Sequence, residues 1–282
     1  MNGQIYKAHT DSFWVKCKDE LINVGVRGLF RKRSERPVVG DFVEIDGGVI
    51  TAIKKRKNFF YRPNVANIDT VVIVVSPQPK PDFLLIDKLL VNALSSNLEV
   101  LFAVNKADVS QELFDTIKSE YSFLGDVFYK VSAFEGTGIV EFSKNLANRT
   151  VLFAGQSAVG KTSLVNVLFG LKLKTGELSE KILRGRHTTT YSEIHEFLGI
   201  KIIDTPGFAV IDASIKAEQL KDNYPDFKNI EGECKFRSCL HIDEPDCAIK
   251  KAVELGKISK TRYERYKQIY QELKEKEKNL YE

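Results

Sequence analysis

The chain has 282 residues, 43% of them hydrophobic, and a net charge of +4 at pH 7. This length supports two or three small domains. There is no apolar run of about 18 residues and no apolar core of a signal peptide, and four cysteines are too few for a disulfide scaffold. These features argue against membrane and disulfide-stabilised classes, and we expect a cytoplasmic protein with no membrane partner.

Residues 1–62 predict a small β-barrel. Apolar and polar residues alternate around Phe13 and Val24, and Asp46-Gly47-Gly48 lies between two apolar runs as a hairpin signal. The pattern fits an OB barrel or an SH3-like barrel and does not choose between them. Cys17 is expected to be a small buried apolar residue of this barrel.

The N-terminal segment is also the most basic part of the chain. Residues 1–62 contain 13 Lys/Arg and 7 Asp/Glu, which permits contact with RNA without requiring it. Two basic runs, at residues 31–33 and 54–57, are candidate phosphate contacts. The alternative is that they are solvated loop tips, since short charge runs often are.

Residues 63–212 predict an α/β domain with a doubly wound parallel sheet. Continuous apolar runs predict strands at residues 69–75, 100–104, 127–131, 151–154 and 200–203. Such runs are typical of strands that are buried on both faces of a parallel sheet. Helical patterns, such as those at residues 84–94 and 112–121, separate most of the strands.

A phosphate-binding loop follows one of these strands. The segment Gly155-Gln156-Ser157-Ala158-Val159-Gly160-Lys161-Thr162 matches G-x-x-x-x-G-K-[ST], and a helix is predicted from Ser163. In such loops the backbone N–H groups surround the phosphates, the lysine reaches the β- and γ-phosphates, and the Thr162 hydroxyl ligates Mg²⁺. A chance glycine-containing turn is the alternative, which the flanking strand and helix argue against.

Three further elements resemble those of GTPases. Asn105-Lys106-Ala107-Asp108 corresponds to N-K-x-D, in which the Asp108 carboxylate accepts hydrogen bonds from guanine N1–H and N2–H₂ that adenine cannot donate. Ser132-Ala133 completes the base pocket with a backbone N–H for guanine O6. Asp204-Thr205-Pro206-Gly207 corresponds to D-x-x-G, with Asp204 near Mg²⁺ and the Gly207 N–H facing the γ-phosphate.

The order of these elements is circularly permuted. Ordinary GTPases have the phosphate-binding loop first, whereas here N-K-x-D and S-A precede it. The same sheet can form, because domain termini are often close together. The N-K-x-D element, which selects guanine, argues against a different class of protein, an ATPase or kinase that acts on a small molecule.

Residues 213–282 predict a helical zinc-binding domain. Cys234-x₄-Cys239-x-His241-x₅-Cys247 supplies four ligands of Cys₃His type, which predict one closed, structural Zn²⁺ site. Free thiols or a redox pair would leave His241 unexplained. A charged helix follows at about residues 248–280, in which Tyr263, Tyr266 and Tyr270 form a packed stripe beside a solvated face or, alternatively, an RNA-binding face.

The combination of barrel, permuted GTPase and Cys-x₄-Cys-x-His-x₅-Cys resembles the RsgA family of small-ribosomal-subunit-dependent GTPases, also called YjeQ or EngC. Residues 64–69 (NVANID) and 185–190 (GRHTTT) extend the resemblance. It implies a bacterial cytoplasmic protein that binds the small ribosomal subunit and its rRNA in late maturation, with subunit-stimulated GTP hydrolysis. The alternative is a nucleotide-gated RNA-binding module whose hydrolysis is incidental. We expect a monomer.

The catalytic residue is less evident from the motifs. Many GTPases carry a water-orienting Gln directly after D-x-x-G, and Phe208 occupies that position here. His187 is the candidate replacement, unless it packs in its loop, contacts RNA, or a ribosomal group completes catalysis. Thr189, with Thr190 as the alternative, is expected to complete the Mg²⁺ shell.

Overall fold

The N-terminal strands close into an OB-type barrel. The computed structural model describes residues 1–28, 30, 36–60, 63–170, 192–197, 199–204 and 215–279. The strand order is β1-β2-β3-β5-β4, and β4 also pairs with β1. All these pairs are antiparallel except β3 with β5, and this five-stranded closed arrangement distinguishes the OB barrel from the SH3-like alternative. The strands are β1 (Asn2–Ala8), β2 (Phe13–Cys17), β3 (Glu20–Val26), β4 (Phe42–Asp46) and β5 (Val49–Ile53).

The barrel is tied to the rest of the chain by two short strands, β6 (Phe59–Phe60) and β7 (Val65–Ala66). The Ala66 N–H donates to Val39 O at 3.0 Å. Gly40, with φ of +92°, approaches so closely that a Cβ would lie 2.0 Å from Ala66 O. Only glycine permits this contact.

The central domain is the predicted doubly wound α/β sheet. Its order is β10-β9-β8-β11-β13-β12, parallel except for β12, which runs antiparallel to β13. The strands are β8 (Thr70–Val75), β9 (Glu99–Val104), β10 (Phe128–Lys130), β11 (Thr150–Ala154), β12 (Glu193–Phe197) and β13 (Ile200–Asp204). The helices are α1 (Phe83–Ser95), α2 (Glu112–Glu120), α3 (Ile139–Leu146) and α4 (Lys161–Leu168).

The chain fills this sheet in two directions. From β8 it moves outward to β9 and β10, then returns to β11 beside β8, and the remaining strands extend the other way. The boundary between β8 and β11 is therefore a topological switch point. Ligands of such sheets bind where the strands end at this point.

The C-terminal part is helical, as predicted, but its charged segment forms two helices instead of one. It contains α5 (Pro225–Glu231), α6 (Ala248–Glu254) and α7 (Lys260–Asn279), so the single helix predicted at about residues 248–280 is wrong. Gly256 has φ of +69°, and the Lys257 N–H donates to Ala252 O at 2.9 Å. This left-handed C-terminal cap ends α6, and Ser259, whose Oγ accepts from the Arg262 N–H at 3.3 Å, precedes α7.

The tyrosine stripe of α7 is packed. Tyr263, Tyr266 and Tyr270 are all buried, so the packed interpretation is confirmed and an RNA-binding face formed by these rings is wrong. The solvated face is only partly as expected, because Arg262 and Arg265 turn inward. Both donate to the buried Asp87 of α1, and thereby join α7 to the central domain.

The three units share interfaces. Barrel residues and residues of the central sheet belong to one continuous apolar core, and Val91 of α1 packs into the core of the C-terminal helices. The predicted divisions after residues 62 and 212 stay predictions. Among the described residues, no helix is both long enough and apolar enough to span a membrane.

Candidate nucleotide site and metal centre

The predicted nucleotide elements converge at one edge of the sheet. Because the strands are parallel, their carboxyl ends lie together. Asn105 directly follows β9, Ser132 lies two residues beyond β10, Gly155 directly follows β11, and Asp204 is the last residue of β13. Four segments that are far apart in the sequence therefore meet at the switch point.

Asn105 holds the base and phosphate elements together. Its side chain is buried, its Nδ2 donates to Val159 O at 2.9 Å, and its Oδ1 accepts from the Ala133 N–H at 3.1 Å. A Cβ at Gly160, where φ is +94°, would lie 2.3 Å from Asn105 Nδ2. This close approach explains the second glycine of the loop. The Ala133 N–H would have to change partner to reach guanine O6.

Asp108 is exposed and oriented for recognition. The Ser132 hydroxyl donates to Asp108 Oδ1 at 2.6 Å, and the same hydroxyl oxygen accepts from the Glu135 N–H at 3.1 Å. Serine thereby fixes the carboxylate and leaves it accessible. A carboxylate held in this way can accept from two donors of a guanine edge.

The phosphate-binding loop adopts the conformation that its glycines predict. Gly155 has φ of +140°, and a Cβ there would lie 2.3 Å from Val74 O. Lys161 Nζ donates to Gly155 O at 2.8 Å and to Gln156 O at 2.7 Å. Burial lowers the pKa of Lys161. Ser157, Ala158, Thr162 and Ser163 are exposed. The first turn of α4 thus presents backbone N–H groups and a lysine, an arrangement suited to phosphate.

Sequence reasoning missed the loop between β8 and α1, which supports the site. Gln156 Oε1 accepts from the Asp82 N–H at 3.1 Å, and Lys106 Nζ donates to Gln78 O and to Ala158 O, the latter at 3.1 Å. No motif marks this loop, and its three prolines indicate a turn without indicating contact. The Asp204 side chain, Gly207, His187 and Thr189 lie outside the described residues.

The predicted metal ligands form a cluster. The ligand atoms of Cys234, Cys239, His241 and Cys247 all lie within 4.8 Å of one another. His241 Nδ1 is 3.4 Å from Cys247 Sγ and 3.7 Å from Cys234 Sγ. Sulfur and nitrogen on a tetrahedral Zn²⁺ are about 3.5 Å apart, so these separations fit zinc.

The surroundings of the cluster favour metal binding. Burial, with a smaller contribution from Lys221, lowers the pKa of His241 to about 4, so the imidazole is neutral at pH 7. The Tyr263 hydroxyl donates to His241 O at 2.7 Å, and Glu244 accepts the Leu240 and Ile242 N–H groups at 2.7 and 2.9 Å. These contacts shape the loop before any ligand binds.

Of the two basic runs of the barrel, only the second lies within the described residues. Residues 31–33 lie outside the described residues. In the second run Lys54 and Lys55 are exposed, whereas Arg56 forms a bidentate ion pair with the buried Asp41 at 2.7 and 2.8 Å. Arg56 therefore serves the barrel itself, and Lys54 and Lys55 are the better candidates for phosphate contact.

Comparison with known proteins identifies the family. A family model described as RsgA GTPase matches residues 53–214, and one described as RsgA N-terminal domain matches residues 2–49. The chain belongs to the RsgA GTPase family. Members of this family are GTP hydrolases. A third model, 50S ribosome-binding GTPase, matches residues 150–279, beginning at the strand before the phosphate-binding loop.

Similarity to relatives and to solved structures extends over nearly the whole chain. The small ribosomal subunit biogenesis GTPase RsgA of Bacillus velezensis is 37% identical, covering 97% of this chain and 98% of the relative. The crystal structure of YjeQ from Thermotoga maritima superposes with a TM-score of 0.81 at 35% identity, covering 96% and 98% of the two chains. YloQ, described as a circularly permuted GTPase, has a TM-score of 0.76 at 32% identity, covering 98% and 95%. The permuted order read from the motifs is thus confirmed.

Proposed function

We propose that this chain binds the small ribosomal subunit and hydrolyses GTP during the late maturation of that subunit. We further propose that the bound subunit stimulates the hydrolysis. The observation that carries the proposal is full-length similarity to small ribosomal subunit biogenesis GTPases, combined with GTPase elements that converge at one sheet edge. An RNA-binding module with incidental hydrolysis has no comparable support.

In the proposed site, GTP lies along this edge, with the base at Asp108 and the phosphates at the start of α4. Asp108 reads the guanine edge, Lys161 contacts the β- and γ-phosphates, and Thr162 holds Mg²⁺. Mg²⁺ supplies charge neutralisation at the phosphates. The residues proposed to bind GTP are Asn105, Lys106, Asp108, Ser132, Ala133, Gly155, Gln156, Ser157, Ala158, Val159, Gly160, Lys161, Thr162, Ser163, Asp204 and Gly207.

The switch residues complete the proposal from sequence alone. Thr189 is proposed as the second protein ligand of Mg²⁺, and His187 as the group that orients the attacking water, because Phe208 has no polar group for that role. The four-ligand cluster is proposed to hold one structural Zn²⁺, since four protein ligands leave no open position for catalysis. Exposed lysines of the barrel are proposed to contact rRNA. We also propose that the protein acts in the cytoplasm as a monomer.

The test compares GTP turnover alone, with purified small subunits and with large subunits as the control. We expect stimulation by small subunits only. Equal turnover in all three would contradict the proposal. His187→Ala should retain GTP affinity and lose about 10²-fold of the stimulated turnover. Normal stimulated turnover in this variant would remove His187 from the mechanism and leave the rest intact.

A further inference from the structure

Strand β1 divides its outer edge between the barrel and the central sheet. Residues 2–4 pair with β4 and close the barrel, whereas Lys7 pairs with Glu193 of β12. Between them, the register with β2 shifts at Tyr6, since Ile5 opposes Val15 and Lys7 opposes Trp14. Such a bulge bends the strand and redirects the side chain of the extra residue.

The redirected Tyr6 side chain reaches the edge strand of the central sheet. Its hydroxyl donates to the Glu196 carboxylate of β12, and Lys16 Nζ donates to the same carboxylate at 2.7 Å. The ammonium groups of Lys16 and Lys201 lie 5.3 and 5.8 Å from the centroid of the Tyr6 ring. Lys201 Nζ also donates to Gln4 Oε1 at 2.9 Å.

The electrostatics favour an ionised Glu196 and a protonated Tyr6. Hydrogen bonds from Lys16 and Tyr6, against a smaller effect of burial, lower the pKa of Glu196, and the charges of Lys16 and Lys201 act in the same direction. Burial and the Glu196 carboxylate raise the pKa of Tyr6. The hydroxyl therefore remains a donor to a charged acceptor, which is the stronger kind of hydrogen bond.

The contact between Tyr6 and Glu196 is separated from the nucleotide site by only a few residues of the β12–β13 strand pair. Glu196 pairs directly with Lys201 in the β12–β13 hairpin, and β13 ends three residues later at Asp204 of the D-x-x-G element. Strand β13 is also parallel to β11, which leads into Gly155. A shift of the barrel would therefore act on the strand that positions Asp204.

We propose that Tyr6 and Glu196 are positioning residues that couple the barrel to the nucleotide site, so that a ligand bound on the barrel changes the affinity for GTP. This coupling rests on the proposed function, with the small ribosomal subunit as the barrel's ligand. Coupling of this kind is reciprocal, because GTP then changes subunit affinity by the same factor.

The experiment uses Tyr6→Phe, which removes one hydroxyl and keeps the ring. The affinity for a non-hydrolysable GTP analogue is measured with and without saturating purified small subunits, and the ratio is the coupling factor. In the native chain we expect about 5- to 150-fold, the usual range for allosteric proteins. In Tyr6→Phe and in Glu196→Gln the factor should fall below about 2-fold, with the affinity measured without subunits unchanged.

Tyr129→Phe is the matched control, because it removes the same group from β10 at the opposite edge of the sheet. It should keep the native coupling factor. Native coupling in both Tyr6→Phe and Glu196→Gln would overturn the proposal while leaving the proposed function intact. A loss of analogue affinity without subunits would also overturn it, because the contact would then be merely structural. No subunit binding by the native chain would instead overturn the proposed function, and the coupling with it.

Discussion

Replacing Asp87 by asparagine should loosen the attachment of the C-terminal helices to the central domain. Asp87 is fully buried, and its two carboxylate oxygens accept from Arg262 and Arg265 of α7. Arg262 also donates to Asp226 at 2.9 and 3.2 Å, and Arg265 to Glu120 at 2.6 Å. Burial lowers the pKa of Arg262, but Asp87 and Asp226 outweigh this effect and raise it overall, so the guanidinium stays charged.

The magnitude follows from the burial of the pair. Removing one partner of a buried ion pair costs about 3–5 kcal/mol of the free energy of unfolding, because a charge is left uncompensated. Asp226 and Glu120 still neutralise part of the charge here. We therefore expect Asp87→Asn to lower the free energy of unfolding by about 3 kcal/mol, the lower end of that range.

The assay is urea unfolding of the zinc-loaded chain followed by far-UV circular dichroism, because the single tryptophan, Trp14, lies in the barrel and would not report on the helices. Glu264→Gln is the matched control: it makes the same change in an exposed ion pair with Lys267 on the same helix. It should cost under about 1 kcal/mol. Equal effects of the two variants would refute the reasoning.

Four further outcomes are expected. Asp108→Asn should weaken GTP binding and relax the preference for guanine in a competition assay with ATP, and displacement of GTP from the native protein by equimolar ATP would contradict the assignment. Metal analysis of the native chain should give one zinc per chain, and Cys239→Ala should lose this zinc and lower the stability of the C-terminal helices, with GTP affinity nearly unchanged. Changing Lys54 and Lys55 to glutamine should weaken subunit binding and flatten its dependence on salt, because fewer counterions are released; an unchanged slope would leave them as solvated residues. The stability difference between the native chain and Glu196→Gln should be present above pH about 4.3, the ordinary glutamate value, and disappear as the pH falls through the lowered folded-state pKa, because protonation then removes the charge in the native chain. A difference that persists in acid would argue against an ionised Glu196.

Residues close together in sequence could be interpreted before the structure was known. The Gly155–Thr162 loop needs glycines where the backbone takes positive φ, and the metal ligands lie within a short loop. Both motifs are recognisable because the backbone conformation of the loop and the spacing of the metal ligands are set by residues that are close together in the sequence. The same holds for the parallel strands, whose apolar runs reflect burial on both faces.

Other features depended on contacts between distant residues. Arg262 and Arg265 resembled solvated charges on a helix, and their buried partner Asp87 is 175 and 178 positions away. Arg56 likewise resembled a phosphate contact until Asp41 was found beside it. The charge of a residue is visible in a sequence, but the partner that compensates its burial is not.

Short sequence patterns predict the chemistry of this protein: a guanine-selective pocket, a phosphate-binding loop, a Cys₃His cluster and their permuted order, because each pattern depends on residue types at fixed short spacing. The OB type of the barrel, the burial of the arginines of α7 and the contact of Tyr6 with Glu196 became evident only from the folded structure. These depend on strand pairing and side-chain packing between segments as far as 190 residues apart, and no local pattern encodes which distant surfaces meet.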